Sequence, residues 1–229
     1  MSVYAIADTH LSLSDDKPMD VFGGWQDYVS RLEKNWKKLV TDEDTVIIAG
    51  DVSWAMSLEG AKEDFRFLNS LPGKKLIFKG NHDYWWGTMK KMQEFFTENG
   101  FDTIEIVHNN AFLVGNCAVC GSRGWFFDDE ESEDKILMRE AGRIKCSIEC
   151  AKELGGEPVV FLHYPPLTSS AVCNEILDVL KEQNIRRCYY GHLHGPSLKN
   201  AFVGEKDGIK FSLISADYLG FCPLLIEKT

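Results

Sequence analysis

The sequence predicts an α/β (α+β) fold in a single domain that spans residues 1–229. Three observations support this class. Short apolar runs rich in Val, Ile, Phe and Tyr indicate buried strands, because they are too short for free-standing helices. Segments with apolar residues three or four positions apart separate these runs, and two further stretches are typical of hairpins. Strands that alternate with helices, together with hairpins, predict more than one sheet or one large mixed sheet.

The predicted buried strands share one feature: each ends abruptly in glycine or in polar residues that could bind a ligand. The five runs are VYAIADTH (3–10), TVIIAGD (45–51), KLIFKGNHD (75–83), VVFLHYPP (159–166) and RRCYYGHLHG (186–195). Two hairpins are predicted, FLVGNCAVCG (112–121) and AFVGEKDGIKFSLIS (201–215), with turns at Gly115-Asn116 and near Asp207-Gly208. The closing PLLIE predicts a last strand.

The helices are predicted from apolar residues at three- and four-residue spacing. Ser57 is the candidate N-cap of the second helix, and the third stops at Gly100. The predicted helices cover about Trp25 to Val40, Ser57 to Leu68, Thr88 to Asn99, Glu131 to Leu154 and Cys173 to Gln183.

Composition and charge restrict the classes of function. Hydrophobic residues make up 44% and charged residues 26% of the 229 residues, which is typical of a globular domain with a sizeable core. The formal net charge is −10, and because an acidic surface repels phosphate backbones, extended binding to nucleic acid is not expected. No apolar stretch approaches the ~20 residues that span a bilayer, and MSVYAIADTH at the N-terminus has no basic leader. We therefore expect a cytoplasmic protein without a membrane partner.

The seven cysteines are an odd number without a disulfide-like framework, which fits the reducing environment of the cytoplasm. Cys117 and Cys120 form a CxxC motif, and Cys146 and Cys150 stand four apart on a predicted helix. A metal or redox site is the alternative interpretation of these pairs. Packed thiols are favoured, because one pair lies in an apolar strand and the other on an amphipathic helix.

Five of the six histidines lie where the predicted strands end. In open α/β sheets, ligands bind just beyond the carboxyl ends of the strands, so we expect the polar residues there to gather. The candidate metal ligands are Asp8, His10, Asp51, Asn81, His163, His192 and His194. The pairs Asp8/His10 and His192/His194 should each place both groups on one side, since side chains alternate along an extended chain. His108 is the exception and is expected to have a surface or hydrogen-bonding role.

A single D-x-H or H-x-H motif more often consists of ordinary surface or core polar side chains than of metal ligands. The predicted metal site therefore depends on all seven candidate ligands together. Buried carboxylates gathered without a cation would be costly. Seven candidate ligands exceed what one ion usually takes from protein, so we expect two metal ions with Asp51 as the shared bridge. Carboxylate, amide and imidazole ligands without thiolate suit divalent or mixed-valence ions of Mn, Fe, Zn or similar metals.

The order of these motifs resembles the calcineurin-like metallophosphoesterase superfamily. The matching blocks are Asp8-Thr9-His10, Gly50-Asp51, Gly80-Asn81-His82-Asp83, His163 and Gly191-His192-Leu193-His194. The chain as a whole is similar to a bacterial branch of predicted phosphohydrolases, for which the resemblance supplies no substrate. The stretches that carry this similarity are KPMDVFGGW (17–25), GDVSWAM (50–56), SRGW (122–125), HYPP (163–166) and SADYLGFCP.

The resemblance implies a β-sandwich of two mixed sheets flanked by helices, with a dinuclear metal site at one edge. Carried over residue by residue, the first implied ligand set is Asp8, His10, Asp51 and His194. The second is Asp51, Asn81, His163 and His192. Some branches carry another acidic residue shortly after G-D, where this chain has Val52-Ser53-Trp54, so no substrate is transferred from those branches.

The implied reaction is hydrolysis of a phosphomonoester or phosphodiester by a metal-bridging hydroxide. His82 would stabilise or protonate the leaving group, and Asp83 would fix its tautomer; a turn-stabilising role is the alternative for Asp83. Candidate substrate contacts are Arg123, in a glycine-flanked loop, and Trp85. Lys79 is another cation close to a motif, and core packing is the alternative for each tryptophan.

The expected substrate is a small-molecule or protein-borne phosphoester, and the oligomeric state is left open. A nuclease of the same superfamily is one alternative, which the acidic composition and the lack of an added DNA-binding module disfavour. A non-catalytic protein-binding scaffold is another. A scaffold would be expected to have lost metal ligands or the histidine at position 82, and all of them are present.

Overall fold

The computed structural model describes residues 1–14, 17, 19–125 and 133–228, with no side chains described for residues 133 and 134. Its strands are β1 (Ser2–Ile6), β2 (Thr45–Ala49), β3 (Lys74–Phe78), β4 (Ile104–Ile106), β5 (Phe112–Val114), β6 (Cys117–Ser122), β7 (Glu157–Leu162), β8 (Arg187–Tyr190), β9 (Gly204–Lys206), β10 (Ile209–Leu213) and β11 (Leu224–Lys228). The α-helices are α1 (Tyr28–Leu39), α2 (Lys62–Ser70), α3 (Met89–Glu98), α4 (Glu133–Glu153) and α5 (Asn174–Glu182).

These strands form two mixed sheets, as the resemblance implied. The first has the order β11-β1-β2-β3-β4, in which β1 to β4 are parallel and β11 is antiparallel to β1. The second has the order β5-β6-β7-β8-β10-β9, in which both edge strands are antiparallel to their neighbours. Because the central strands of both sheets are parallel, their carboxyl ends collect at one edge.

Among the described residues, three clusters of buried apolar side chains explain how sheets and helices are layered. Side chains such as Ala49 and Phe161 pack between the two sheets. The outer face of the first sheet is covered by α1, α2 and α3, and that of the second by α4 and α5. Every residue of β2 is buried, as expected for a parallel strand covered on both faces. No helix within the described residues has the length and apolar character needed to cross a membrane.

Both predicted hairpins form, as β5–β6 and β9–β10, and the last strand pairs with β1. Two helix starts differ from the prediction. Asp27 has a left-handed backbone (φ 53°), so α1 begins only at Tyr28. The Oγ of Ser57 accepts the amide of Gly60 at 3.1 Å and closes a turn, so α2 begins later, at Lys62. The predicted start of the fourth helix at residue 131 lies outside the described residues.

The cysteines of the CxxC motif are packed thiols. Cys117 lies between the two sheets, and Cys120 faces the core under α4 beside Cys188. All three are fully buried, and burial raises the pKa of the Cys117 thiol to about 12. A protonated, enclosed thiol behaves as a small apolar side chain.

The buried ammonium group of Lys75 should make the free energy of unfolding depend on pH. Its ammonium is fully buried and donates to the carbonyl oxygens of Leu71 and Gly73, each at 2.7 Å. Burial lowers the pKa of Lys75 from the ordinary 10.5 to about 8. Between these values the unfolded chain binds a proton that the folded chain lacks, so the free energy of unfolding should rise with pH from about 8 towards 10.5.

Urea unfolding of the wild type and of Lys75→Met at several pH values tests this. The free-energy difference between wild type and variant should grow in favour of the wild type across that pH window. Lys38→Met, at an exposed position on α1, should follow the wild-type curve. Parallel curves for wild type and Lys75→Met would show that Lys75 does not titrate differently in the folded protein.

Candidate metal centre

All seven predicted ligands meet at the carboxyl-terminal edge of the two sheets. Two compact groups form there, Asp8 with His10 and His194, and Asp51 with His163 and His192. Within each group the potential ligand atoms lie within 4.8 Å of one another. Asn81 joins the second group through its Oδ1, which is 2.6 Å from His163 Nε2 and 3.0 Å from His192 Nδ1. The assignment of metals to these ligands stays a prediction.

Asp51 lies between the two groups. Its Oδ2 is 3.7 Å from His10 Nε2 and 3.4 Å from His163 Nε2. Its Oδ1 accepts the backbone amide of His82 at 2.8 Å, which fixes the orientation of the carboxylate. The free oxygen therefore faces both groups at once, which is the position required of a bridging ligand.

The donor chemistry at this edge fits bound cations. Asp51 Oδ2 and both ring nitrogens of His10 are buried without a hydrogen-bond partner in the described part of the chain. Leaving buried polar atoms unpaired costs roughly 1–3 kcal/mol each. His163 Nδ1 lies 3.1 Å from the carbonyl oxygen of Ala49, and Nε2 meets the oxygen of Asn81. A neutral imidazole has a single N–H, so one of these contacts would join two acceptors; a cation beside Nε2 removes the conflict.

Burial controls the charge of the candidate ligands. Desolvation lowers the pKa of His163 and of His192 to about 3, and also lowers that of His10 well below its usual value. The imidazoles are therefore neutral at physiological pH, which is the form that binds metals. Desolvation also raises the pKa of Asp51, to about 6, and that of Asp8. A divalent cation would offset this cost of holding carboxylates away from water.

The backbone at the ligands contradicts one prediction. Asp8, His10, Asp51 and His192 all have positive φ angles, of 56°, 43°, 51° and 68°. The chain is therefore not extended at D-x-H or H-x-H, so alternation does not explain where these side chains point. Asp8 and His10 do share one group, as predicted. The prediction for His192 and His194 is wrong, since they join different groups. Such left-handed residues cost about 1–3 kcal/mol each, and they concentrate at functional sites.

Two glycines make the close approach of these loops possible. A Cβ on Gly80 would overlap the amide nitrogen and the carboxylate of Asp51. A Cβ on Gly50 would lie 2.7 Å from the Cα of Gly80 and 2.8 Å from His163 Nδ1. The glycines before the ligands are therefore needed because the loops touch one another, as well as for turning the chain.

His82 stands beside the two groups without belonging to either. It is half-buried, and its ring packs on Trp54 with centroids 4.4 Å apart. Trp54 also stacks on His10 at 4.7 Å, so one indole supports a candidate ligand and the candidate catalytic histidine. The Nδ1 of His82 lies 3.4 Å from the hydroxyl of Tyr84.

Asp83 does not orient the His82 ring, which corrects the predicted catalytic role. Its fully buried carboxylate accepts the amides of Asp51, Val52 and Gly80 at 2.7–2.9 Å, and the indole N–H of Trp85 at 2.9 Å. These bonds tie the loop after β2 to the loop after β3. The turn-stabilising alternative therefore describes the structure, and Asp83 acts on the site by holding Asp51 in place.

Asp83→Asn should mainly reduce stability. The asparagine side chain keeps one acceptor oxygen, but its NH₂ group would face N–H donors. At least one buried backbone N–H would therefore lose its acceptor, at a cost of about 1–3 kcal/mol. For a chain of this size, that lowers the melting temperature by roughly 2–12 °C. Differential scanning calorimetry measures the change, with Asp102→Asn at an exposed position as the control. An unchanged melting temperature with reduced activity would restore the orienting role.

A sequence profile of the calcineurin-like phosphoesterase family matches residues 1–196, which is most of the chain. The chain belongs to this family. A curated relative, the uncharacterized protein MJ1445 of Methanocaldococcus jannaschii, is 30% identical over 112 residues. The match covers 47% of this chain and 58% of that protein, so the chain matches little more than half the length of this relative.

Solved structures share the fold at low sequence identity. Phosphopantetheinyl hydrolase (PptH) of Mycobacterium tuberculosis has a TM-score of 0.58 at 12% identity, covering 98% of this chain and 95% of that one. The protein TT1561 of Thermus thermophilus has a TM-score of 0.56 at 14% identity, covering 84% and 81%. The protein of unknown function AQ665 of Aquifex aeolicus has a TM-score of 0.51 at 16% identity, covering 98% and 95%.

The tryptophans of this calcineurin-like family member divide between core and site. Trp85 is 2% exposed and packs edge-on against Phe65, with centroids 4.8 Å apart. A substrate contact by Trp85 is therefore wrong, because its ring is enclosed and its N–H is committed to Asp83. The indoles at the surface of the site are Trp54, beside His82, and Trp86, in a neighbouring pocket.

Arg123, the other predicted substrate contact, lies beside the second ligand group, and its role stays a prediction. Its backbone carbonyl accepts the amides of His163 and Tyr164 at 3.0 and 2.8 Å, which fixes its loop next to a candidate ligand. Its side chain lines a pocket together with Arg143 and His108. The sequence interpretation did not associate those two residues with the site, because Arg143 is on the distant helix α4 and His108 follows no ligand motif.

Proposed function

We propose that this chain is a dinuclear-metal-dependent phosphoesterase that hydrolyses a phosphomonoester or phosphodiester on a small molecule or a protein. The position of Asp51 carries the proposal, since its unpaired Oδ2 faces both ligand groups at 3.7 and 3.4 Å. Membership of the calcineurin-like phosphoesterase family supports the reaction class. When bound, two ions of Mn, Fe, Zn or a similar metal would act as Lewis acids towards the phosphate and lower the pKa of a coordinated water.

The ligand set leaves the site attractive to anions. Asp8 and Asp51 are the carboxylates of the two groups, and the other ligand side chains are neutral imidazoles and the amide of Asn81. Two carboxylates do not neutralise two divalent ions, so a phosphate group is drawn to this edge even though the chain carries a net charge of −10.

His82 acts on the leaving group in this proposal. Its ring lies outside both ligand groups and is only half-buried, so a substrate oxygen can reach it. The tilted contact with the ring of Trp54, with centroids 4.4 Å apart, restricts its movement and covers one side of the imidazole. An imidazole placed in this way can donate a hydrogen bond or a proton to the departing alkoxide.

Metal reconstitution followed by a substrate screen tests the proposed function. Chelator-treated protein is dialysed, loaded with Mn, Fe or Zn, and assayed on phosphomonoesters, cyclic nucleotides, dinucleotides, phosphopeptides and DNA. A phosphopantetheine-modified carrier protein is included because one fold neighbour is named as a phosphopantetheinyl hydrolase. We expect metal-dependent release of phosphate or alcohol from at least one ester class. Uniform inactivity would favour a protein-binding scaffold, and turnover of DNA alone would favour a nuclease.

A further inference from the structure

A basic pocket lies beside the candidate metal centre, on its His163 side. It has a volume of about 360 Å³, at the lower end of the range for small-molecule sites. Its lining includes three cationic side chains, Lys79, Arg123 and Arg143, together with His108 and the ring of Trp86. Three cations in one concave pocket are unexpected in a chain with a net charge of −10, because random placement would mix them with carboxylates.

Within the part of the chain that the structure describes, few carboxylates pair with the cations of this pocket. Among the described residues, neither Lys79 nor Arg123 forms an ion pair. Arg143 pairs with Glu140 at 3.1 Å. Glu140 is 2% exposed, and it also accepts the amide of Gly124 at 2.9 Å, so this carboxylate is largely occupied in holding the pocket together. The remaining positive charge is therefore available to a bound anion.

Aromatic rings border two of these cations. The ammonium of Lys79 lies 6.0 Å from the ring centroid of Trp86, and the guanidinium of Arg123 lies 5.9 Å from that of Tyr164. Such cation–π contacts position a charge without neutralising it. Fixed donors lose less entropy on binding an anion than free side chains would.

The pocket is joined to the metal centre by covalent and hydrogen-bonded connections. Lys79 precedes Gly80 and Asn81, so the same short loop presents a pocket cation and a candidate ligand. The carbonyl of Arg123 accepts the amide of His163, which ties the other side of the pocket to the second ligand group. The pocket and the second ligand group are therefore built on the same two loops.

We propose that this pocket binds a second phosphate of the substrate, so that the enzyme acts on phosphoesters carrying two phosphate groups. This inference rests on the proposed function. Guanidinium groups bind phosphate through paired N–H donors, and Lys79 adds a point charge. Because the second phosphate is bound away from the reacting bond, its binding energy favours bisphosphates over monophosphates of the same carbon chain.

Calorimetry on metal-free protein tests the pocket independently of catalysis. The probes are inorganic phosphate and α,ω-alkanediol bisphosphates of three to six carbons, at two salt concentrations. Wild type should bind both kinds of probe more weakly at high salt, and Lys79→Met and Arg123→Met should each weaken binding at least about tenfold. Lys210→Met, at an exposed position on β10, is the control. Absence of binding to wild type, or unchanged binding by both pocket variants, would overturn the proposal.

Steady-state kinetics on metal-loaded protein test whether the pocket serves the substrate. Each bisphosphate is compared with its monophosphate. At one or more chain lengths, kcat/KM should favour the bisphosphate at least about tenfold, and this ratio should fall towards one in both pocket variants. A ratio near one at every length, with phosphate still bound by metal-free protein, would assign the pocket to free phosphate. If neither series is hydrolysed, and no ester in the wider screen is hydrolysed either, the proposed function is rejected. Calorimetry then still decides whether the pocket binds anions.

Discussion

Asp51→Asn should strongly weaken the binding of both proposed metal ions together. The asparagine oxygen can still accept the amide of His82, so the loop should keep its shape. The oxygen that faces both His10 and His163 would be replaced by an NH₂ group or would lose its charge. Changing partners that only support a ligand costs about 10–100-fold in metal affinity, so losing a shared carboxylate should cost at least about 100-fold at each site.

Metal titration by calorimetry and metal content after gel filtration measure this effect. Asp102→Asn at an exposed position is the matched control, because it makes the same chemical change away from the site. Circular dichroism confirms that the variant is folded. Retention of one ion at full affinity would show that Asp51 is a ligand of a single metal and not a bridge.

His82→Ala should separate catalysis from metal binding. Since the ring belongs to neither ligand group, metal content should remain near that of the wild type. Removing a general acid lowers kcat by about 10²–10⁴-fold, and the loss should be larger for alkyl phosphates than for aryl phosphates, whose leaving groups need less protonation. Steady-state kinetics on both ester types, with metal analysis of the same samples, measure these effects.

Two outcomes would contradict the assigned role of His82. Loss of both metals from His82→Ala would show that the residue is a ligand. An equal loss of activity on alkyl and aryl esters would show that it does not protonate the leaving group. Tyr84→Phe provides a comparison, because the hydroxyl of Tyr84 is only 3.4 Å from Nδ1, a long contact that should contribute little.

Much of this protein could be predicted from local patterns. Parallel strands buried on both faces, such as Thr45–Ala49, have continuous apolar sequences, and a glycine or polar residue marks where each one ends. The candidate ligands follow those ends directly. Because parallel strands place their carboxyl ends on the same edge, their order along the chain was enough to predict that they meet.

Side-chain partners could not be predicted in the same way. Asp83 is next to His82 in the sequence, yet its carboxylate bonds to the loop that contains Asp51. Trp85 and Trp86 are neighbours in the sequence, yet Trp85 is enclosed in the core and Trp86 lines an open pocket. Adjacent residues point in different directions, and what each one meets depends on elements that are remote in sequence.

The sequence by itself determined the strand ends, the residue types gathered there and the family to which the chain belongs. The tertiary structure decided that His192 and His194 belong to different groups, because the left-handed turn at His192 breaks the alternation of an extended chain. It also decided that Arg143, on a helix distant in sequence, joins Lys79 and Arg123 in one basic pocket. Distances between side chains depend on the packing of the two sheets and α4, which local sequence patterns do not encode.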